Sequence, residues 1–449
     1  MTLKEKLFAK APYLVQNSIV TMFNSYQYRI RHKGSYKKFR AYYAKADTLS
    51  GSELTKEVES KKANFFKYVK AHSLWYKDFS FDELNLLPVL EKTDLINHLD
   101  SIKTINEKNG IVSLTGGTTG ASMKVIYTKS DMQERFAILD HFRSKHGYEL
   151  GKKTAWFSGK NLISEKDISK GICSHYDFIN KIKFYSTFHI NQKNFEVYWA
   201  SLNHFKPEFI VGFPSSVYEI CEIADSKGLR LKHRVRVFFP TAETVLPQHR
   251  DVISRVLGCK LVNQYASSEG APFILECKAS NLHIHPLTGM FEVVDEHIQP
   301  AKEGEILVTS FITHGTPLIR YNIGDSITLG AQDKVCKCGS HFPLVDKIEG
   351  RTTDYLLSPT QGKVNLGNIS NSTKDVKGII KFQAIQHEIN LVKVLVVSNH
   401  LFDISEQDQF IAALKQRMGS EVNIDMEIVD EIATESSGKF RIVKNMLAY

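Results

Sequence analysis

Long apolar runs are absent from this 449-residue chain, and with them any ordinary transmembrane helix: no stretch of about 18 apolar residues occurs. The nearest approach, Ala11 to Phe23, is interrupted by Gln16, Asn17 and Ser18, which also breaks the core that a signal peptide needs. Cysteine is scarce. Of the six present, only Cys336 and Cys338 lie close in sequence, so a disulfide framework is not suggested. Internal repeats and low-complexity tracts are lacking too, which argues against solenoids and disordered tails. A cytoplasmic setting and two or three domain-sized units are therefore expected.

Acid is lacking in one region only. Residues 1–45 hold ten Lys and Arg against the single acid Glu5, and the whole chain carries a formal net charge of +9. The remainder is thus balanced, and the excess sits in one segment interleaved with Phe8, Tyr13, Phe23, Tyr26, Tyr28, Tyr36, Phe39, Tyr42 and Tyr43. A basic, aromatic helical arm suits an anionic membrane surface. Nucleic acid offers the same charge, and a solvated arm packed by its aromatic face needs neither partner. No RNA- or DNA-recognition motif accompanies the arm, so nucleic acid is not the expected partner.

What the chain does have is Ser113-Leu114-Thr115-Gly116-Gly117-Thr118-Thr119-Gly120, followed by Lys124. Glycines admit close backbone approach and positive φ, and free N–H groups with hydroxyls are what phosphate oxygens require. A Walker loop is excluded because Ala121-Ser122 follows Gly120 where Lys-Ser or Lys-Thr would stand. A dinucleotide fingerprint does not fit the glycine spacing either. Taken alone, the stretch reads as a phosphate loop or a plain surface linker.

Further along, residues 55–105 read as helical. From 111 to about 265, candidate strands at Lys124–Tyr127, Phe209–Gly212, Val235–Phe239 and Lys260–Asn263 alternate with helices at Ser130–Lys145, Pro214–Lys227 and Gln248–Val256. That alternation predicts an α/β domain with a largely parallel sheet. Residues 272–352 read as β-rich, and strand and helix mix after Thr353.

Five further segments follow the loop in chain order: Pro240-Thr241-Ala242-Glu243, Tyr265-Ala266-Ser267-Ser268-Glu269, Arg320-Tyr321-Asn322-Ile323-Gly324-Asp325, Gly350-Arg351-Thr352-Thr353-Asp354 and Ser436-Ser437-Gly438-Lys439-Phe440-Arg441. The ordered set resembles the adenylate-forming superfamily of acyl-CoA synthetases and adenylation domains. Gly212-Phe213-Pro214-Ser215-Ser216 and Ile380–Gln386 are similar to its phenylacetate–CoA ligase branch, and within that to the capsule-biosynthesis CapK type. The resemblance runs from about residue 60 onward.

The resemblance implies an α/β fold: a large N-terminal domain of doubly wound sheets with a β-rich subdomain, and a small mobile α+β C-terminal domain. The expected divisions are a basic arm at 1–50, the large domain at 51–352 and the small one at 353–449. It implies ATP-dependent conversion of a small carboxylic acid to an acyl-adenylate, then transfer to CoA or to a glycan amine or hydroxyl in surface-polysaccharide biosynthesis. In that chemistry Ser113, Thr115, Gly116, Gly117, Thr118, Thr119 and Gly120 hold the β/γ-phosphates, with Lys124 as a mobile cation. Tyr265 stacks on adenine, Ser268 touches the α-phosphate and Glu269 ligates Mg²⁺. Glu243 belongs to the nucleotide set, and Asp325 and Arg351 take the ribose. Lys439 neutralises charge in the adenylation transition state, which requires the small domain to close. Gly212, Phe213, Pro214 and Ser215 border the acid pocket.

The chain departs from the family at Thr353, where an acid usually stands two positions after the arginine, although Asp354 follows. Leu357–Lys363 lacks the usual lysine-and-glycine pattern of acyl-CoA synthetases, which bears on the CoA half-reaction. A catalytically inert nucleotide-binding scaffold is the alternative, and the retained Glu269, Asp325 and Lys439 argue against it.

Cys277, His283, Cys336 and Cys338 supply three thiols and an imidazole, the donor set of a closed structural Zn²⁺ site. Relatives in the phenylacetate–CoA ligase branch carry Cys and His at similar positions. His285, two residues along a predicted strand, is the rival to His283, and buried unligated thiols are the other reading.

Overall fold

The computed structural model describes residues 8, 11–115, 123–159, 163–331, 335–351, 354–373, 375–435 and 437–447. The chain begins with helices α1 (Tyr13–His32), α2 (Tyr36–Ala46) and α3 (Gly51–His72), then strands β1 (Ile111–Thr115) and β2 (Met123–Tyr127) and helix α4 (Lys129–Ser144). Next come β3 (Thr154–Ser158), β4 (Ser174–Asp177), β5 (Ile182–Ser186), α5 (Phe195–Phe205), β6 (Phe209–Gly212), α6 (Pro214–Ser226), β7 (Val237–Pro240), α7 (Pro247–Leu257) and β8 (Lys260–Leu261). A run of strands follows: β9 (Gln264–Tyr265), β10 (Ile274–Glu276), β11 (Leu282–Ile284), β12 (Gly289–Val294), β13 (Glu303–Ser310), β14 (Tyr321–Leu329) and β15 (Leu344–Arg351). The C-terminal part contains β16 (Tyr355–Ser358), β17 (Gly362–Asn365), β18 (Ile379–Glu388), β19 (Leu391–Ser398), α8 (Ile404–Met418), β20 (Asn423–Ile428) and β21 (Val443–Asn445).

These elements form two compact units. One comprises residues 22–150 and 263–348, the other residues 1–21, 151–262 and 349–449. The first unit contains a seven-stranded sheet of order β12-β13-β14-β15-β11-β10-β9 and the separate β1–β2 hairpin. The pairs β9–β10, β10–β11, β11–β15, β12–β13 and β13–β14 are antiparallel, in keeping with the β-rich reading of 272–352. Phe65, Val69, Leu95, Ile274, Ile306 and Phe311 are buried in its core. Helix α3 starts at a capping box in which Ser50 and Glu53 satisfy each other's amides.

The second unit contains a six-stranded sheet of order β4-β5-β3-β6-β7-β8. It is parallel apart from the β4–β5 pair, so the predicted α/β character is observed. Pro214 and Pro247 each occupy the first turn of a helix, where the missing N–H has no partner to lose. The C-terminal residues add a four-stranded sheet of order β20-β19-β18-β21 and the β16–β17 hairpin. Their core includes Leu356, Phe382, Val394, Phe410 and Leu414.

Two expectations are corrected. Lys124–Tyr127 does not enter the parallel sheet but pairs antiparallel with β1. The seven residues that separate β1 from β2 are too few for a parallel crossover, which takes about a dozen. The helical reading of 55–105 holds to His72 and again in the short helices Lys92–Asn97 and Leu99–Ile102, but not as a continuous helix between them. Beyond His72, Pro88 interrupts the leucine-rich segment, and Leu90 extends as a bridge to Tyr321, its amide bonded to the Arg320 carbonyl at 3.0 Å.

Candidate functional site

In the first unit the β1–β2 register opposes Leu114 to Lys124 and Thr115 to Met123. Gly116, Gly117, Thr118, Thr119 and Gly120 lie outside the described residues. The hairpin is tied to the Tyr265–Glu269 segment: the Ser113 hydroxyl lies 3.4 Å from the Ser268 carbonyl, and the Tyr127 hydroxyl donates to the same oxygen at 2.8 Å. Arg135 of α4 clamps that segment from behind. Its guanidinium donates to the carbonyls of Ser267 (3.0 Å), Gly270 (2.9 Å) and Ala271 (3.1 Å). The Ser267 hydroxyl accepts from the amides of Gly270 and Ala271. Gly270 has φ +110, and a Cβ there would lie 2.3 Å from Thr313, so only glycine allows the turn that follows Glu269. The Glu269 side chain is nearly buried, and the Ser268 hydroxyl lies 3.4 Å from its carboxylate.

Asp325 is placed by an irregularity in β14. Glu305 opposes Ser326 while Leu307 opposes Asn322, so Ile323, Gly324 and Asp325 face the single residue Ile306. Such a bulge re-aims the side chain that follows it. Gly324, at φ +73, makes the bend, and its amide donates to the Asn322 side chain at 3.0 Å. Asp325 thereby receives the Tyr265 hydroxyl at 2.7 Å. Two residues read from sequence as separate contacts to base and ribose are joined directly. Lys124 is held by Glu107 in an ion pair with both side chains partly exposed.

Sequence reasoning missed Arg135, Tyr127 and Glu107. One signal was available for Arg135: it lies on the helical stripe Asp131, Arg135, Ile138, Phe142, all of it buried. A charge on such a stripe needs partners, and here they are carbonyls.

In the second unit, β6 ends at Gly212, where a Cβ would stand 2.1 Å from the Phe157 carbonyl oxygen. Phe213 and Pro214 are buried beyond it, and the chain enters α6. The Glu243 carboxylate accepts from the Ser215 amide at 3.1 Å and from the Phe440 amide at 3.1 Å. Burial pushes this carboxyl above its ordinary range, against the lowering effect of those bonds and of nearby Lys439. Glu243 thus fixes the segment that carries Lys439. Gly438, at φ +76, packs on Gly159, where a Cβ would meet the Ser437 carbonyl at 1.6 Å. Phe440 continues the contact: its ring lies 4.6 Å from the Lys381 ammonium, which pairs at 3.0 Å with Glu219 of α6. A cavity of about 40 Å³ adjoins this group, lined in part by Ser215, Tyr218, Glu219 and His249. Arg351 ends β15, and Asp354, the acid beside the departure at Thr353, binds Arg441 at 2.6 Å.

The ligand atoms of Cys277, His283, Cys336 and Cys338 all lie within 4.8 Å of one another. The Cys277–Cys336 sulfurs are 3.8 Å apart, too far for a disulfide, and Cys338 Sγ is 3.5 Å from His283 Nε2. Bonds of about 2.3 Å to sulfur and about 2.0 Å to nitrogen, at tetrahedral angles, give edges of roughly 3.8 Å and 3.5 Å. The donor set therefore fits a zinc ion in type and spacing. His283 Nδ1 lies 2.9 Å from the Phe342 carbonyl, which can only accept, so the proton sits on Nδ1 and the Nε2 lone pair faces the thiols. Burial opposes ionisation of Cys336, but the Cys338 amide and the Cys338, Asn281 and His283 side chains outweigh it, lowering the thiol to about 6. His285 is not in the group; it is buried against Tyr43 and Phe342.

Comparison with known proteins places this geometry in context. Protein CapK of Staphylococcus aureus is 32% identical over 455 residues, covering 98% of this chain and 98% of that protein. The chain belongs to the CapK family. A family model of the CapK C-terminal domain matches residues 356–446, taking in both Lys381 and the Lys439 segment. The CapK-family chain is also 25% identical over 265 residues to indoleacetate–lysine synthetase of Pseudomonas savastanoi, covering 57% of this chain and 62% of that one. Its fold is that of adenylate-forming ligases: it superposes on 2-hydroxyisobutyryl-CoA ligase, in the postadenylation state with an acyl-AMP bound, with a TM-score of 0.71. That match has 16% identity and covers 90% of this chain and 91% of the other.

Proposed function

We propose that this CapK-family protein is an ATP-dependent adenylate-forming ligase that activates a small carboxylic acid and passes the acyl group to CoA or to a glycan amine or hydroxyl. The observation that carries the reading is the 2.7 Å contact of Tyr265 with Asp325 on the Arg135-clamped strap that also holds Ser268 and Glu269. Support comes from the bound acyl-AMP of the similarly folded ligase and from the synthetase named among the relatives.

In this reading Tyr265 offers its ring to adenine while Asp325 accepts hydrogen bonds from the ribose hydroxyls, with Arg351 donating alongside. Ser113, Thr115 and the glycine-rich residues to Gly120 hold the β/γ-phosphates, and Ser268 touches the α-phosphate. Glu269 would hold Mg²⁺, which supplies charge neutralisation when bound. Lys124 serves as a cation once released from Glu107; an exposed pair of that kind is worth about 0–1 kcal/mol, so phosphate can displace it. Lys439 stabilises the charge that builds as the carboxylate attacks the α-phosphate. Glu243 acts on that step indirectly, through the Phe440 amide. Gly212 to Ser215 border the acid.

The test is ATP–pyrophosphate exchange with a broad panel of aliphatic, aryl and amino acids. At least one acid should stimulate exchange, and Lys439→Ala should reduce that rate by about 10²–10³-fold, the loss typical of a removed transition-state donor. Exchange that no acid stimulates, or that Lys439→Ala leaves intact, would sink the assignment.

Cys277, His283, Cys336 and Cys338 are proposed to hold a structural zinc, with no open position for water. Metal analysis of the purified protein should find one zinc per chain. Cys336→Ser should abolish it and lower the melting temperature, since metal binding stabilises the folded state. Three thiols and an imidazole without metal in the native protein would remove the site.

No helix among the described residues is long and apolar enough to cross a membrane. Peripheral contact of residues 1–45 with an anionic membrane, where a lipid-linked glycan acceptor would be met, belongs to the same proposal.

A further inference from the structure

Helix α1 is amphipathic in the inverted sense: its polar face is buried and its apolar face is open. Gln16, Asn17 and Thr21 are the buried residues of the helix. Their burial has a physical cause in strand β4, which forms the edge of the six-stranded sheet. An edge strand presents unpaired backbone groups, and α1 satisfies them with side chains. The Asn17 carbonyl oxygen accepts from the Tyr176 amide at 3.0 Å, the Thr21 hydroxyl accepts from the Phe178 amide at 3.1 Å, and the Tyr13 hydroxyl donates to the Ser174 carbonyl at 2.8 Å. A helix that caps a sheet edge in this way must turn its polar side inward.

The consequence is on the other side. Leu14, Val15, Ile19, Met22, Phe23 and Tyr26 recur at the three- and four-residue spacing of one helical face, and all six are exposed, Met22 by 72% and Leu14 by 68%. Arg29 continues the same face, and exposed Lys33, Lys37 and Lys38 follow it. No acidic residue occurs between Ala11 and Lys45. Contiguous apolar surface with a basic margin marks an interaction site.

We propose that this face of α1 docks on an anionic lipid bilayer, with Leu14, Ile19, Met22, Phe23 and Tyr26 entering the headgroup–acyl boundary and Arg29 and Lys33 meeting lipid phosphates. The proposal deepens the peripheral contact suggested above by naming the surface, and it holds or fails independently of the ligase chemistry. Charge complementarity selects this occupant over a second copy of the chain. A symmetric pairing through the same face brings two acid-free basic segments together, whereas an anionic bilayer attracts each Lys or Arg near its surface by about 1 kcal/mol, roughly a fivefold gain in partition. Insertion of an apolar helix face adds to that attraction.

The experiment is flotation of the full-length protein with vesicles of equal parts phosphatidylglycerol and phosphatidylcholine, against vesicles of phosphatidylcholine alone. Flotation with the anionic vesicles, weakening as salt rises, is expected. Arg29→Ala with Lys33→Ala should lower partition by about 25-fold at low salt. Leu14→Ser with Ile19→Ser, which adds no charge, should lower it by at least tenfold, and circular dichroism should report an unchanged fold because both side chains are exposed. Undiminished flotation of the serine variant would overturn apolar docking. Equal flotation with neutral vesicles would overturn the anionic preference. A lipid-free dimer in light scattering that the serine variant dissolves would make a second copy the occupant and overturn the proposal as well.

Discussion

Lys381→Met is expected to destabilise the protein by about 3–5 kcal/mol, the loss typical when one partner of a buried ion pair is removed. Lys381 and Glu219 are 8% and 9% exposed and 3.0 Å apart, so removing the ammonium leaves a carboxylate with neither water nor counter-charge. The same change removes the cation beneath the Phe440 ring, an interaction worth about 0.5–2 kcal/mol. Urea denaturation should show the loss as a lowered midpoint. Glu219→Leu combined with Lys381→Met should recover much of it, because an apolar pair of similar volume has no charge to desolvate.

The pH dependence has a definite sign. Burial already raises the Glu219 carboxyl above its ordinary value even with Lys381 beside it. Without the lysine the folded state holds a proton more tightly than the unfolded state does. Stability is then greatest below the unfolded glutamate value of about 4.3 and declines as pH rises through the folded value. The deficit of Lys381→Met should therefore be smaller near pH 5 than at neutrality. A loss below about 1 kcal/mol with no such trend would show that the pair is solvated.

Gly159→Ala should reduce acid-dependent ATP–pyrophosphate exchange by about 100-fold, the scale of effect produced by misplacing a reacting group by an ångström. The added methyl would lie 1.6 Å from the Ser437 carbonyl oxygen and 2.6 Å from its carbon. Backbone, not a flexible side-chain end, must give way, and the segment that moves is the one carrying Gly438 and Lys439. Gly171→Ala is the matched control: it too replaces a glycine, at φ +79, but nothing lies within 4 Å of the new methyl. It should cost about 1 kcal/mol of stability from backbone strain and leave exchange unchanged. Full exchange in Gly159→Ala would mean that the position of the segment does not matter to the reaction.

Much of the fold was readable from local signals. Phe209–Gly212 is a strand at its predicted limits, and α6 and α7 begin within a residue of prediction, because apolar runs and helix-first prolines act within a few residues. The six ordered motifs were readable for the same reason, each being a short segment of defined chemistry. The bulge that turns Asp325 toward Tyr265 was not readable. It depends on how β13 registers against β14, and residue identity in one strand does not determine the slip of its neighbour.

Charge and aromatic content left residues 1–45 as an arm for a polyanion or one packed by its aromatic face; Tyr36 and Tyr43 are buried, whereas Phe23 and Tyr26 of α1 are exposed. In α1 the demand of a distant strand edge for hydrogen bonds decided which face is buried. Likewise residues two apart on a strand share a face, so parity could not choose between His283 and His285; in the fold His283 Nε2 lies 3.5 Å from Cys338 Sγ, whereas His285 packs against Tyr43 and Phe342. The sequence by itself therefore determined the elements, the order of the motifs and the family. Tertiary structure alone decided which charges meet: Glu219 with Lys381 across 162 residues and Arg135 with carbonyls more than 130 residues away. The physical reason is that hydrophobic periodicity is a local property of the chain, whereas the partner of a buried polar group is whatever the folded backbone brings within about 3 Å.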